Sequence, residues 1–272
     1  MRLDLHVHTT ASDGSLSPVE VVRLAADGGL DVLAITDHDT VAGIPAAVSA
    51  VSKFPLRIIP GIEVSSTHED VEYHILGYFV DPQAESIQAH ERHAVGGRES
   101  RMDEMVARLR GRGLHIEMAD VLDAAGPDRS TIARPHLARA LVSWGYAKSV
   151  PDAFDRLIGD EHPAFVPTRL ATPEEAIRLI LDAGGIPVWA HPPMHALHRL
   201  LPVFIKAGLK GLEVYRPRAT PRHIKKLERA AEEDGLIMTG GSDWHDPERG
   251  YPLGSFFVTE EDVWELIEAG GF

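Results

Sequence analysis

The stretch LDLHVHTTASDG, residues 3–14, sets His6 and His8 two residues apart and follows them with Asp13. Side chains alternate along a strand, so His6 and His8 share one face, and Asp13 falls in a turn of small residues. Two imidazoles and a carboxylate meeting at a strand end make half of a metal site. One His-x-His is a weak signal, because a pair of structural histidines gives the same pattern. The same residue types recur, however: Asp37, His38 and Asp39 in ITDHD, Glu63 in GIEVS, His74 in EYHILGY, His191 in VWAHPP, and Asp243 and His245 in TGGSDWH. Six independent accidents explain these placements less well than one shared cluster of metal ligands. The chain has no cysteine. That removes thiolates and leaves imidazole and carboxylate, a donor set that suits Mn, Zn, Fe or Mg.

These residues need elements to position them. Short β-like runs are predicted near 2–8, 31–37, 57–64, 72–79, 186–191, 209–215 and 236–242. Helical patterns are predicted near 18–27, 41–52, 173–183, 197–207, 221–234 and 260–269. Ser17-Pro18 and Thr172-Pro173 each put a capping residue before a proline at the first helical position, and Gly28-Gly29 and Gly184-Gly185 end the helices before them. Alternation of strand and helix predicts an α/β fold with a parallel sheet closed into a barrel, whose chemistry sits at the C-terminal ends of the strands. Residues 81–170 break the rhythm. They read as helices near 83–112 (weakened at Gly96-Gly97), 118–125, 135–144 and 151–158. The expected organisation is a barrel made from residues 1–80 and 171–272, with residues 81–170 inserted as a helical segment over one end.

The chain has 272 residues and a formal net charge of −14. That charge argues against broad binding to duplex DNA or an anionic membrane. It is unevenly spread: residues 81–170 hold twelve Lys/Arg against fourteen Asp/Glu and are close to neutral. No apolar stretch approaches the ~20 residues of a membrane span, and no leader pattern precedes the first strand. With no cysteine, a cytoplasmic location is expected. Oligomeric state is not legible.

HVHTTASDG, AITDHDT, PGIEVS, WAHP and GGSDWH together resemble the motifs of the PHP (polymerase and histidinol phosphatase) family of metal-dependent phosphoesterases. The likeness spans nearly the whole chain. It implies a distorted (β/α)7 barrel holding two or three divalent ions, manganese first among them. Carried over residue by residue, one ion takes His6, His8, Glu63 and Asp243. A second shares Glu63 and adds His74 and His191. A third takes Asp13, His38 and His245. Asp37, His38 and Asp39 are candidates for proton transfer, with Asp37 and Asp39 equally suited to orienting imidazoles. His195 and His198 read as the solvated start of a helix.

The inserted segment carries TIARPHLARAL, in which Arg134 and His136 flank Pro135 at a predicted helix start, and GRESRMDEM upstream offers Arg98 and Arg101. A helix N-terminus favours anions and arginine grips phosphate in bidentate fashion, so these four are candidate substrate residues. Arg108, Arg110 and Arg112 read as a solvated helix face. ARPHLARAL within an insertion of this size resembles the PHP branch of 3′,5′-nucleoside bisphosphate phosphatases and the 5′-to-3′ exoribonuclease RNase AM. Arg216 in EVYRPRATP stands where many relatives have histidine. The resemblance implies a substrate with two phosphates, such as adenosine 3′,5′-bisphosphate (pAp), losing its 3′-phosphate; the same site could trim short RNA. The alternatives are a histidinol-phosphate phosphatase, an amidohydrolase acting on C–N bonds, and a non-catalytic module attached to a polymerase.

Overall fold

From Leu3 to Val7 the first strand, β1 (Arg2–Val7), is wholly buried, its polar Asp4 and His6 no less than Leu3, Leu5 and Val7. A strand buried on both faces belongs inside a layered or closed sheet. The computed structural model describes residues 1–127, 129–247 and 251–271. Its strands continue with β2 (Val32–Ile35), β3 (Arg57–His68), β4 (Val71–Tyr78), β5 (Ile186–Trp189), β6 (Gly211–Tyr215), β7 (Ile237–Gly240) and β8 (Val258–Thr259). The sheet order is β7-β6-β5-β4-β3-β2-β1-β8. A parallel bridge between Val7 and Trp244, just past β7, brings the two sides together and leaves the barrel nearly closed. Gly241 is required there, since a Cβ would stand 2.4 Å from the backbone nitrogen of His6.

One expectation is corrected. The sheet is not uniformly parallel: β4 runs antiparallel to both β3 and β5, and β8 antiparallel to β1. The cause is local. Glu69 and Asp70 both take positive φ, 51° and 60°, in the two-residue turn that joins β3 to β4 as a hairpin. No helix fits between them. The reversal brings the first half of β4, with His74, to the same barrel end as the C-terminal ends of the parallel strands.

Helices α1 (Pro18–Asp27), α2 (Ile44–Ala50), α7 (Pro173–Asp182), α8 (Met194–Ala207) and α9 (Pro221–Asp234) surround the sheet. Val21 and Val22 of α1, Ile180 of α7, Phe204 of α8 and Leu227 of α9 join Leu33, Ile35 and Ile75 in one core. The alternate strand residues Val32, Ala34, Ile59 and Val188 form a second core with Leu266 and Ile267 of α10 (Trp264–Ala269). Ser17 and Thr172 make full capping boxes with Glu20 and Glu175, each worth about 0.5–2 kcal/mol.

Residues 85–158 hold α3 (Glu85–Gly111), α4 (Met118–Ala125), α5 (Arg134–Ser143) and α6 (Val150–Ala153), the last followed by a π-turn over Phe154–Ile158. Helix α3 runs unbroken through Gly96 and Gly97, the point where the long predicted helix was expected to be weakened; Leu170 packs directly over Gly97. Ile87 at the start of α3 belongs to the barrel core. Met102, Met105 and Leu109 further along belong to a separate core with Leu137, Leu141 and Ile158. The predicted helices at 41–52, 151–158 and 260–269 are shorter than expected. They give way to a 3-10 turn, the π-turn and an irregular turn over 260–263 respectively.

Gly96 and Gly241 should respond oppositely to a methyl group. A Cβ on Gly96 meets nothing within 4 Å, so Gly96→Ala should stabilise by roughly 0.5–1 kcal/mol. Gly241→Ala presses on β1 backbone and should cost roughly 1–3 kcal/mol. Thermal unfolding of both variants against the parent measures this.

Candidate metal centre

Glu63 on β3 is fully buried, and its two oxygens face five imidazoles. Oε2 lies 3.3 Å from His6 Nε2, 3.3 Å from His8 Nε2 and 3.0 Å from His38 Nδ1. Oε1 lies 3.0 Å from His74 Nδ1 and 3.0 Å from His191 Nε2. Asp243 Oδ1 stands 3.4 Å from His6 Nε2 and 3.3 Å from His8 Nε2. Asp13 Oδ1 stands 3.3 Å from His245 Nε2 and 3.7 Å from His8 Nδ1. All nine residues singled out as ligands therefore meet at one end of the barrel. Burial opposes ionisation of Glu63, but His38, His6 and His74 outweigh it and hold the carboxyl well below its usual range.

The donors fall into three groups, each with its atoms within 4.8 Å of one another: His6, His8, Glu63 and Asp243; His38, Glu63 and His74; His8, Asp13, His38 and His245. The first matches the expected partition. In the second His38 joins Glu63 and His74, while His191 touches both, 3.3 Å from His74 Nδ1. The third gains His8. His8 and His38 are thus shared, a detail that spacing along the chain does not carry. His6 Nε2, both ring nitrogens of His8, His38 Nδ1 and Glu63 Oε2 are buried without a directed hydrogen bond. Buried polar atoms are rarely left so. Ligands at about 2.1 Å from one ion stand no more than about 4.2 Å apart, close to the spacing seen. The residues present fit divalent ions.

Backbone strain helps aim them. His191 and Asp243 hold φ of 31° and 53° at the ends of β5 and β7, and Asp39 holds 55° after β2. Side chains that need left-handed backbone cluster where geometry is over-determined.

Behind the donors lies a layer of buried carboxylates. Glu213 on β6 accepts from His6 Nδ1 at 2.8 Å and from the His191 amide at 2.7 Å. It thereby fixes the His6 ring with Nε2 turned to the cluster. Burial pushes its pKa up to about 7 against the pull of His6. Asp4 accepts from the Ser242 amide at 2.8 Å, and burial pushes it up to about 6. Neither was singled out from sequence. The signal was there: Asp4 shares the β1 face of His6 and His8, and Glu213 interrupts the apolar GLEVY.

Asp37 and Asp39 do not face the cluster as proton donors, which corrects the catalytic expectation for both. Asp37 is spent on the Thr9 amide and hydroxyl and on Ser12, shaping the turn that carries Asp13. Asp39 accepts from the Ser65 amide, His90 and Arg98. His38 alone of the three points inward.

A cavity beside the donors is lined by Asp13, His38, His74 and His245 on one side and by Arg98, Arg101 and Arg134 on the other. Glu72 on β4 pairs with Arg101 at 3.2 Å and Arg134 at 2.9 Å, and is held down at about 2: burial raises it, and the two guanidiniums overcome that. Arg134 also pairs with Asp160, which is largely exposed. Two substrate expectations change. Arg98 donates from Nε, Nη1 and Nη2 to Asp39, Ser65 and the Ile132 carbonyl, so a phosphate would have to displace buried partners. His136 does not line the cavity. Its Nδ1 caps the Ala133 amide, and burial lowers its pKa to about 4, leaving it uncharged.

The PHP domain family matches residues 4–95. The 5′-3′ exoribonuclease Rnm of Escherichia coli is 34% identical over 278 residues, covering 97% of this chain and 93% of that one. The chain belongs to the PHP family. The 3′,5′-nucleoside bisphosphate phosphatase of Chromobacterium violaceum is 32% identical over 282 residues, covering 98% and 96%. A solved structure from Bifidobacterium adolescentis, described as a metal-dependent phosphoesterase, superposes with a TM-score of 0.90 at 33% identity, covering 98% and 96%. This PHP protein is a hydrolase, and no helix among its described residues is long and apolar enough to cross a membrane.

Glu213→Gln should weaken divalent-ion binding. The amide cannot accept from both His6 and the His191 N–H, so a loss of about 10–100-fold in affinity is expected. Equilibrium dialysis with Mn measures it; unchanged affinity would remove Glu213 from the support of the centre.

Proposed function

We propose that this PHP protein removes the 3′-phosphate of nucleoside 3′,5′-bisphosphates such as pAp, and trims short 5′-phosphorylated RNA by the same step. One observation carries the reading: four of the candidate donors, Asp13, His38, His74 and His245, and the Arg101–Arg134 pair line one cavity. A substrate with a phosphate at each end satisfies both sides. His6, His8, Glu63 and Asp243 would hold one ion, and Glu63, His38, His74 and His191 a second. Asp13 and His245, with His8 and His38, would hold a third. Manganese suits this nitrogen and oxygen set, with Zn, Fe or Mg as rivals. Bound ions supply Lewis-acid charge to the reacting phosphoryl group and acidify water.

The protein's own residues do the rest. Arg134 and Arg101 grip the phosphate that is not cleaved, through charge-assisted hydrogen bonds. Glu72 holds the two guanidiniums together at the cavity wall. Asp160, being exposed, is the partner the phosphate replaces on Arg134. Glu213 holds the His6 ring, and Asp4, Asp37 and Asp39 brace the segments around the donors, so that the substrate meets a preformed site.

Phosphate release with added Mn, comparing pAp, 3′-AMP, 5′-AMP and histidinol phosphate, tests the reading. Preference for pAp is expected. Arg134→Ala should lower kcat/KM on pAp by about ten- to a hundred-fold, equivalent to roughly 1.5–3 kcal/mol, while 3′-AMP loses little and metal content holds. Equal loss on both would place Arg134 at the reacting phosphate or in the fold. Preference for histidinol phosphate would overturn the two-phosphate reading. Separately, Glu63→Gln should reduce both metal content and turnover, because one carboxylate serves two donor groups. Retention of full metal content, read by elemental analysis, would remove it from the bridging position.

A further inference from the structure

The donor groups are not supported alike. His6 and the His191 backbone bond to Glu213, inside the barrel. Asp13 and His38 stand on the two loops that the inserted helices touch. Helix α3 buries His90, Ala94, Arg98 and Arg101 along one face. His90 Nε2 lies 2.8 Å from Asp39 Oδ1, Arg98 Nε donates to Asp39 Oδ2 at 2.8 Å, and Arg98 Nη2 donates to Ser65 Oγ at 2.7 Å. Glu91 accepts from the Thr40 hydroxyl at 2.7 Å and from the Val41 amide at 2.8 Å. Residues 39–41, directly after His38, are therefore held by three side chains of one helix. From α5, Arg139 donates to the Asp13 carbonyl at 2.8 Å, and just before α5 the Ser130 amide donates to the Ala11 carbonyl at 2.9 Å.

Asp39 makes its left-handed turn, φ 55°, immediately after His38. Its amide donates to the Glu63 carbonyl at 3.0 Å, and the Glu63 amide donates to the Asp37 carbonyl at 3.1 Å. The chain on both sides of His38 is thus tied to the strand that carries Glu63. Aspartate accepts left-handed backbone better than most residues, but such a turn persists where its surroundings fix it. Arg98 is the strongest of those surroundings, a buried guanidinium bonded to Asp39, Ser65 and the Ile132 carbonyl.

We propose that Arg98 is a positioning residue for the ions that His38 would bind. By fixing Asp39 it aims His38, so the donor groups that include His38 fill only when α3 is docked on the β2–α2 loop. The group of His6, His8, Glu63 and Asp243 fills without it. The inserted segment then does more than carry arginines for a second phosphate: it completes the metal centre. This rests on the reading that the three donor groups hold divalent ions.

Titration of the metal-free protein with Mn, the free ion being read by its EPR signal, gives ions per chain and their affinities without any turnover. Arg98→Met keeps the stem and removes the guanidinium. It should retain one tightly held Mn and weaken the others by about ten- to a hundred-fold. Arg98→Lys keeps the charge without the fork and should recover part of that loss. Glu91→Ala releases the same loop from a partly exposed position and should weaken the same ions by a smaller factor. Leu109→Ala opens a cavity in the separate core of the inserted helices, about three turns beyond Arg98 on α3. It should lower the melting temperature and leave the Mn titration unchanged. An unchanged titration in Arg98→Met, or in Glu91→Ala should Arg98→Met not fold, would overturn the proposal. So would equal weakening of every ion, or an equal shift in Leu109→Ala, which would make Arg98 a contact of the fold alone. A parent protein that binds no Mn overturns it together with the reading of the donors. The phosphatase reading fails separately: a parent that shows the expected Mn shifts but releases no phosphate from pAp removes that reading and leaves this one standing.

Discussion

Glu63 is the constraint around which the molecule is arranged. A carboxylate with no exposure, met by five imidazoles at 3.0–3.3 Å, is an expensive group to place inside a protein. Imidazoles in that number cannot all donate to two oxygens with good geometry, and several of their nitrogens stay unsatisfied. A divalent cation resolves the conflict, because it takes lone pairs from the neutral rings and neutralises the carboxylate together. Asp4, Asp37, Asp39 and Glu213 are buried as deeply, and each is bonded to a part that bears on the centre. They brace the Asp13 turn, the Ser242 turn, the His6 ring and the α3 face. The interior polarity of this barrel is therefore one connected system.

The β3–β4 hairpin joins that system to the inserted helices. Glu63 and Ser65 lie on its first strand, Glu72 and His74 on its second. Glu63 and His74 face the centre, Ser65 accepts from Arg98, and Glu72 holds Arg101 and Arg134. Thr67 bonds to Ala171 and Thr168 at the return from the helices into the barrel. A single rigid ribbon thus sets the distance between the place where a phosphoryl group would react and the place where a second phosphate would be held. Fixed separation of this kind lets a two-phosphate substrate be selected by length as well as by charge.

Much was legible along the chain because short-range rules governed it. His6 and His8 share a face by the period of a strand, Ser17-Pro18 and Thr172-Pro173 start helices by capping, and the histidines and carboxylates at strand ends fall together because parallel strands end at one rim. The donor set, the likeness to PHP proteins and the absence of thiolate chemistry all follow from residues that can be read in order.

What needed the tertiary structure depends on contacts between residues far apart in sequence. The reversal of β4 turns on two non-glycine residues in left-handed backbone at 69–70, a conformation that composition does not announce. The sharing of His8 and His38 between donor groups depends on angles between strands, not spacing along them. Arg98 looks like a free phosphate ligand until Asp39, fifty-nine residues away, is seen to occupy it. Asp37 and Asp39 look reactive until their oxygens are traced to Thr9, Ser12, Ser65 and His90. Residue type and local period determine which groups can do chemistry and which rim they reach; only the packing of distant segments decides which of those groups remain free to do it, since a buried charge is claimed by whichever partner the fold brings within bonding distance.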